Sequence, residues 1–529
     1  MSESKPVKNF DMNERQPFRL AVVGGGTAGW ICALMIRKFA DDQKLPVEVT
    51  VVESSKIPTI GVGEGTTAVF DTLLAFLGID KIRFLRETEA TCKFGIRHVD
   101  WCRKGHFYYD GPIDDPHQFA VRGKRIPSPW LNIACVARRL SVTEPHLFTY
   151  LLAKFKAPYR LRPGEPPMAL SNYLHAYHFD QALVGRFLRS VARNVTVVDA
   201  LIASTEQNPS SGNIERLLFD DGEGMDVDFV VDCTGFRRRL IVGEMKARWI
   251  KARKYLPVNR AMPFWLDHPE GQRIPPFTLA RALGSGWMWQ IPTSTRMGCG
   301  YVYSDDFLTP AEARREVEET LGRTIEPRND IPINSGRVDR AWIGNCLAAG
   351  LSQSFFEPLE ATSIHGTIVQ MFMFCSAFLE RAVRREASNS TAYNQLVARQ
   401  VDDFARFINI HYAGERQDTP FWRHVASECI DPMNRSRLRR WQRQMPTAQD
   451  FATDRENIAP VDEHLYYPVL DGLEKLPQAT ARRQLTTMGR LRPSLGKHVN
   501  ELSRRFRLLS TRASDHREFL EWVANSSEA

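Results

Sequence analysis

The sequence predicts an α/β fold, with a Rossmann-like dinucleotide-binding unit near its start and a mostly helical region at its end. Three observations carry this expectation. The short apolar run at residues 19–23 is followed at once by Gly24-Gly25-Gly26-Thr27-Ala28-Gly29, then by helical periodicity over residues 30–39. A second apolar run, residues 229–232, ends in the turn Cys233-Thr234-Gly235. From about Glu380 onward the pattern is helical and polar, with no further glycine turn of that kind.

In chain order, residues 1–16 lack the apolar core of a signal peptide and read as a loose tail. In the first unit Gly24 permits the tight turn and Gly26 lets the backbone approach a pyrophosphate. Gly29 lets helix and strand pack closely, while Thr27 and Ala28 begin a helix whose free amides suit a phosphate. Residues 47–52 form the next strand and lead into Glu53, 24 residues after Gly29, placed to accept hydrogen bonds from an adenosine ribose. An acid at that point favours FAD or NAD over NADP.

Alternating segments at 195–198 and 214–219 then flank the turn Ser210-Ser211-Gly212 and lead to the buried strand that closes on Asp232. A plain hairpin satisfies this pattern. So does the meander by which FAD-dependent hydroxylase-like folds return the chain to one sheet, and that reading adds Asp232 to the cofactor-binding set. The stretch 344–350, ending in Gly350, precedes a long helical run and is placed to line a flavin.

Composition narrows the function classes. The 529 residues are 43% hydrophobic and 25% charged, which excludes a disordered or fibrous chain. The formal charge of +8 is spread thinly, so nucleic acid is not an expected partner. Nine cysteines, none spaced as CxxC, point away from a disulfide framework and from a metal centre and toward a reducing cytoplasm. No run reaches the ~18 apolar residues of a membrane span, and the nearest, 368–383, carries Gln370, Glu380 and Arg381. The basic runs 435–441 and 503–507 are expected to be solvated helix faces.

Further motifs are more specific. They are GGGTAGW at 24–30, Trp287-Met288-Trp289-Gln290-Ile291-Pro292, and Phe356-Glu357-Pro358-Leu359-Glu360-Ala361-Thr362-Ser363. Between and after them stand GVGEGT at 61–66, which includes Gly63, ATCKFGI at 90–96, and His411-Tyr412 followed by DTPFW at 418–422. In this order, over residues 18–430, the chain resembles the flavin-dependent halogenases of the tryptophan-halogenase type, whose signatures read WxWxIP and EPLEST.

That resemblance implies an FAD-binding fold of the flavin monooxygenase type and a two-component enzyme. Its modules would be an FAD-binding halogenase module at 17–425 and a helical region at 426–529 that completes the substrate pocket. A separate flavin reductase would supply reduced FAD, and FAD, oxygen and a chloride or bromide ion would give hypohalous acid. The acid would be relayed to Lys93, which would hold it by a hydrogen bond or as a haloamine, for electrophilic attack on an electron-rich aromatic. Glu360 would stabilise the cationic ring and take its proton. Thr362 and Ser363 would bind halide at a helix start, although Thr362 also reads as an ordinary N-cap. Trp287, Trp289, Ile291 and Pro292 would lie by the flavin on one strand face. A homodimer is compatible with the resemblance.

Two departures bear on the substrate. Tyr109 and Gly111 stand where tryptophan-specific members carry a His and a Phe, and Ala361 replaces the usual Ser. Tyr466 and Tyr467 are the nearest aromatic candidates in the C-terminal region. An indole-like aromatic other than free tryptophan is therefore expected. The alternatives are a flavin-dependent aromatic monooxygenase and a non-catalytic flavin-binding protein, and the pairing of Lys93 with Glu360 argues against both.

Overall fold

The computed structural model describes residues 16–57, 63–105, 107–112, 120–121, 124–125, 128–269, 271–386, 390–451, 461–489 and 491–526. Residues 1–15 of the expected tail, and Gly61 and Val62 from the quoted motifs, lie outside them.

The strand Phe18–Val23 lies inside a six-stranded sheet, with Val47–Glu53 parallel on one side and Phe229–Asp232 parallel on the other. Val195–Asp199 extends the first side in parallel. Cys346–Ala348, also parallel, and Trp342–Ile343, antiparallel, extend the second. Helices cover such a sheet on both faces, which is why its central strands are continuously apolar and Ala21, Val22, Val230 and Val231 are fully buried. The helix Thr27–Asp42 follows the glycine turn directly and buries Trp30, Ile31, Ala33 and Met35. Between the third and fourth parallel strands the chain runs through a separate antiparallel meander, Ile202–Gln207, Ile214–Phe219 and Gly224–Asp226, as the alternating segments predict.

A seven-stranded mixed sheet forms the second layer. Its strand Gly286–Pro292 runs between Thr278–Ala282 and Arg296–Tyr303, with Trp287 opposite Val302 and Trp289 opposite Gly300. Strand alternation sends Trp287, Trp289 and Ile291 into the main core. Met288 points the other way, to a smaller core with Tyr301, Tyr303 and Val317. A short three-stranded sheet joins the layers: Ala176–Asp180 pairs with Gly63–Gly65 on one edge and Thr91–Lys93 on the other.

After Phe355 the described residues contain helices and no further sheet strand. The long helical run expected after Gly350 starts at Thr362 and breaks at Phe378 (φ −128°), giving Thr362–Ala377 and Leu379–Val383. The Phe378 ring packs edge-on against Trp342 and Tyr393, and the break accompanies that burial. Farther on, Gln478–Thr487 and Leu491–Ser510 pack on Ser128–Ala137, and Glu463–Gly472 packs on the strand Tyr108–Pro112.

The basic run at 435–441 is not wholly a solvated face. Arg437 is buried, its guanidinium lies over the Phe451 ring, and it donates to the Tyr466 hydroxyl and the Asp450 carbonyl. No helix among the described residues is long and apolar enough to cross a membrane.

Candidate active site

The glycine turn has the shape that a dinucleotide needs. Gly24 has φ +117°, and a Cβ there would fall 2.2 Å from the Cys233 carbonyl oxygen; a Cβ on Gly29 would fall 1.7 Å from the Gly24 carbonyl oxygen. These two contacts hold strand, turn and helix together. At Gly26, the helix N-cap, nothing lies within 4 Å of an added Cβ, so the backbone is bare where a phosphate would approach. The Thr27 hydroxyl beside it is buried without a protein partner. Glu53 lies directly under Gly25, and its other carboxylate oxygen accepts from Arg189 at 2.5 Å. Ala28 abuts Gly350, which has φ +60°.

Asp232 is placed beside this turn but is fully engaged by the protein. Its carboxylate accepts from the Thr234 amide and hydroxyl, the Ser352 hydroxyl, and the Leu240 and Ile241 amides. Its direct contacts therefore organise the turn.

A cavity of ≈ 180 Å³ opens beyond the turn, with Gly63, Trp289, Ile291, Gly350, Thr362 and Ser363 among the residues that line it. Trp287 is deeper and donates its indole N–H to Glu357 at 2.9 Å, while Pro292 accepts from the Thr91 hydroxyl through its carbonyl at 2.7 Å. Glu64, on the cavity wall, keeps one buried carboxyl oxygen without a partner; burial, then the charge of Asp180, push the group up to about 7. The bare Gly26 backbone, the orphaned Thr27 hydroxyl and the partly apolar cavity fit a flavin dinucleotide.

The segment Glu357 to Ser363 forms a shared wall. Glu357, Pro358, Ala361, Thr362 and Ser363 face the cavity, whereas Glu360 turns away from it. Two consecutive left-handed residues make this reversal, Glu360 at φ 65° and Ala361 at φ 53°. Neither is glycine, so the turn stores strain at the site. Ala361, not Thr362, occupies the N-cap, and it makes no side-chain cap; Thr362 is the first helical residue. The N-cap role expected for Thr362 is thereby corrected.

Glu360 faces two histidines. His411 Nε2 lies 3.1 Å and His98 Nε2 3.2 Å from the same carboxylate oxygen. Burial alone would raise the Glu360 carboxyl, yet the contacts with His411 and His98 hold it well below the usual carboxylate range. Lys93 is buried on its short strand and donates to the Thr66 carbonyl at 2.7 Å. Burial pushes its ammonium down to about 8, against the opposing charge of Glu360. Lys93 thus lies within range of the Glu360 charge, while its hydrogen bond goes to Thr66.

His98 and His411 are the functional candidates that sequence reasoning missed. His98 sits in a strand, where a lone histidine reads as core, and His411 carries no signal beyond its place in a quoted motif. Tyr109 stacks flat on His98, with ring centroids 4.6 Å apart and planes at 11°. Gly111 lies on the same strand as Tyr109, opposite Ile96. Tyr466 and Tyr467 are core residues: Tyr466 packs on Phe451 and Trp441, and the Tyr467 hydroxyl donates to the Pro446 carbonyl.

These features match known proteins over nearly the whole chain. The family model described as tryptophan halogenase matches residues 19–487. Tryptophan 7-halogenase RebH of Lentzea aerocolonigenes is 34% identical over 431 residues, spanning 77% of this chain and 78% of that one. Tryptophan 6-halogenase SttH of Streptomyces toxytricini is 30% identical over 476 residues, 85% and 87% of the two chains. The SttH crystal structure superposes with a TM-score of 0.82 at 27% identity, over 96% of this chain and 100% of that one. BrvH, a flavin-dependent halogenase from Brevundimonas sp. BAL3, superposes with a TM-score of 0.78 at 28% identity, over 96% and 99%. The chain belongs to the tryptophan halogenase family. It is accordingly an FAD-dependent halogenase that uses a halide ion, an aromatic substrate and reduced FAD from a separate flavin reductase.

Proposed function

We propose that this enzyme halogenates an indole-like aromatic other than free tryptophan, through a halogen carried from the cofactor cavity to Lys93. FAD, when bound in its reduced form, supplies the electrons with which oxygen and halide become hypohalous acid and water. Gly24, Gly26, Thr27, Ala28, Gly29, Glu53, Gly63 and Gly350 would hold it, with Trp289 and Ile291 along its side. Thr362 and Ser363, at an uncapped helix start on the cavity wall, would hold halide.

The observation that carries the reading is the shared wall. Thr362 and Ser363 line the cavity, while Glu360, from the same turn, faces away and interacts with buried Lys93. Lys93 can donate a hydrogen bond to hypohalous acid, and near pH 8 a fraction of it is free amine able to carry the halogen. As the ring's electron pair forms the carbon–halogen bond, the halogen's bond to oxygen breaks and the oxygen, protonated by the Lys93 ammonium, leaves as water. From a haloamine the nitrogen–halogen bond breaks and the lysine amine returns. In both cases Glu360 stabilises the ring cation. The C–H bond then breaks, its electron pair restores the ring, and the proton passes to the carboxylate.

Tyr109 supports the substrate assignment. Its ring is stacked on His98 instead of standing free to clamp an indole, and Gly111 offers no ring at all. A substrate panel with FAD, a flavin reductase, NADH and either halide, read by mass spectrometry, tests this. Indole derivatives should be halogenated and free tryptophan should be poor.

A further inference from the structure

We infer that His411 and His98 are positioning residues for Glu360, a two-histidine clamp in which a single proton bridges His411 Nε2 and the carboxylate and resides on the histidine. The inference rests on the reading of Glu360 as the group that takes the ring proton.

The hydrogen-bond partners of His411 leave few arrangements. Its Nδ1 lies 3.0 Å from the Phe407 carbonyl and 3.2 Å from the Ile408 carbonyl. Carbonyl oxygens only accept, so Nδ1 carries a hydrogen. In a neutral ring Nε2, on an imidazole that is itself fully buried, would then present a lone pair to a carboxylate oxygen 3.1 Å away. A proton between the two atoms removes that clash and forms a charge-assisted hydrogen bond.

His98 approaches the same oxygen from the opposite element. Its ring is fully buried and clamped by Tyr109, and its centroid lies 4.9 Å from that of His411. The two ring nitrogens and the carboxylate oxygen lie within 4.8 Å of one another. His98 makes no hydrogen bond through either nitrogen, so the shared proton joins His411 and Glu360 while His98 confines the oxygen by its approach.

A clamp is needed because the backbone does not supply one. Glu360 and Ala361 are held in the left-handed region, where a residue with a side chain is strained and prone to relax. The charged and titratable groups facing the site are Lys93 and Tyr109 toward Glu360, Asp110 toward His98, and Glu357 toward His411. The contacts with His411 and His98 oppose burial and keep Glu360 ionised.

Ring-nitrogen NMR of the full-length protein with ¹⁵N-labelled histidine tests the clamp without turnover. At pH 7 one ring should carry hydrogens on both nitrogens. In Glu360→Gln that ring should keep only its Nδ1 hydrogen, and in His411→Gln its signals should vanish. A wild-type His411 with a bare Nε2 would overturn the proposal.

In turnover, His411→Gln should lower kcat about a hundredfold with KM for the aromatic little changed. The loss should deepen from pH 8 to pH 6, because burial then raises the Glu360 carboxyl and protonates it. A loss equal at every pH, or carried by KM, would contradict positioning. If His411→Gln does not fold, His98→Gln should show the same pH-dependent loss, to a smaller degree. If wild type halogenates no aromatic while the doubly protonated ring is present, the role given to Glu360 fails and the clamp stands.

Discussion

The Trp287 indole N–H donates to Glu357 at 2.9 Å, and the Tyr412 hydroxyl donates to the same oxygen at 2.5 Å. This pair of bonds separates the two glutamates of the segment: Glu357 ties the tryptophan-bearing strand to the turn His411–Ala413 that follows the helix Ser390–Ile410, while Glu360 meets the histidines. Glu357 is thereby engaged by its own chain, which suits a structural part.

Burial pushes Glu357 up to about 7, even though Tyr412 and Trp287 favour its charged form. A folded value above the unfolded one means stability is greatest below the unfolded value and is lost as pH rises toward 7. Glu357→Gln removes that loss. Its stability relative to wild type should improve by roughly 3 kcal/mol between pH 4.5 and pH 8, as read by denaturant unfolding.

Lys93 carries the opposite sign. Its value is lowered to about 8, so the folded protein is penalised for the buried charge at neutral pH, and the penalty fades as pH rises from 8 toward 10.5. Lys93→Met should melt higher than wild type at pH 7, with the gap closing by pH 10. A stabilised but inactive variant is what a strained functional site predicts.

Two glycines of the turn separate folding from binding. Gly29→Ala puts a methyl 1.7 Å from a backbone oxygen and should destabilise the apoprotein severely. Gly26→Ala meets nothing within 4 Å, so the apoprotein should melt as wild type does. FAD affinity should nevertheless fall about tenfold or more in Gly26→Ala, measured by flavin fluorescence quenching, if the pyrophosphate rests on that backbone.

What was legible in the sequence was local. The glycine turn, the strand ending in Glu53 and the Trp287–Trp289–Ile291 alternation each depend on contacts within a few residues, and each folds as read. The break at Phe378 was not legible, because it accompanies the packing of Phe378 against Trp342 and Tyr393, outside its own helix. Arg437 reads as solvent-facing by charge, yet it is turned inward by the rings of Phe451 and Tyr466. The His98–Glu360–His411 cluster draws on three distant segments, and no spacing rule links them. Asp232 lies beside the glycine turn, and its five hydrogen bonds to its own chain have no sequence signature.

Substrate choice follows from the stacked Tyr109. A free amino acid would bring a zwitterion into a buried site, costing several kcal/mol if unpaired. Indole should therefore be halogenated much faster than tryptophan. Without a clamp for the ring, attack should fall on the pyrrole carbon beta to the nitrogen, read by NMR of the product. Efficient benzene-ring halogenation of free tryptophan at one position would show that another part of the chain rebuilds the clamp.

The relay through Lys93 is tested most directly by Lys93→Met, assayed with reductase, FAD, NADH and bromide, and with a soluble trap for hypobromous acid beside the aromatic substrate. The account predicts that trapped hypobromous acid forms at the wild-type rate while halogenated aromatic falls at least about a hundredfold. Halogenated aromatic at the wild-type level, or loss of both products together, would contradict it.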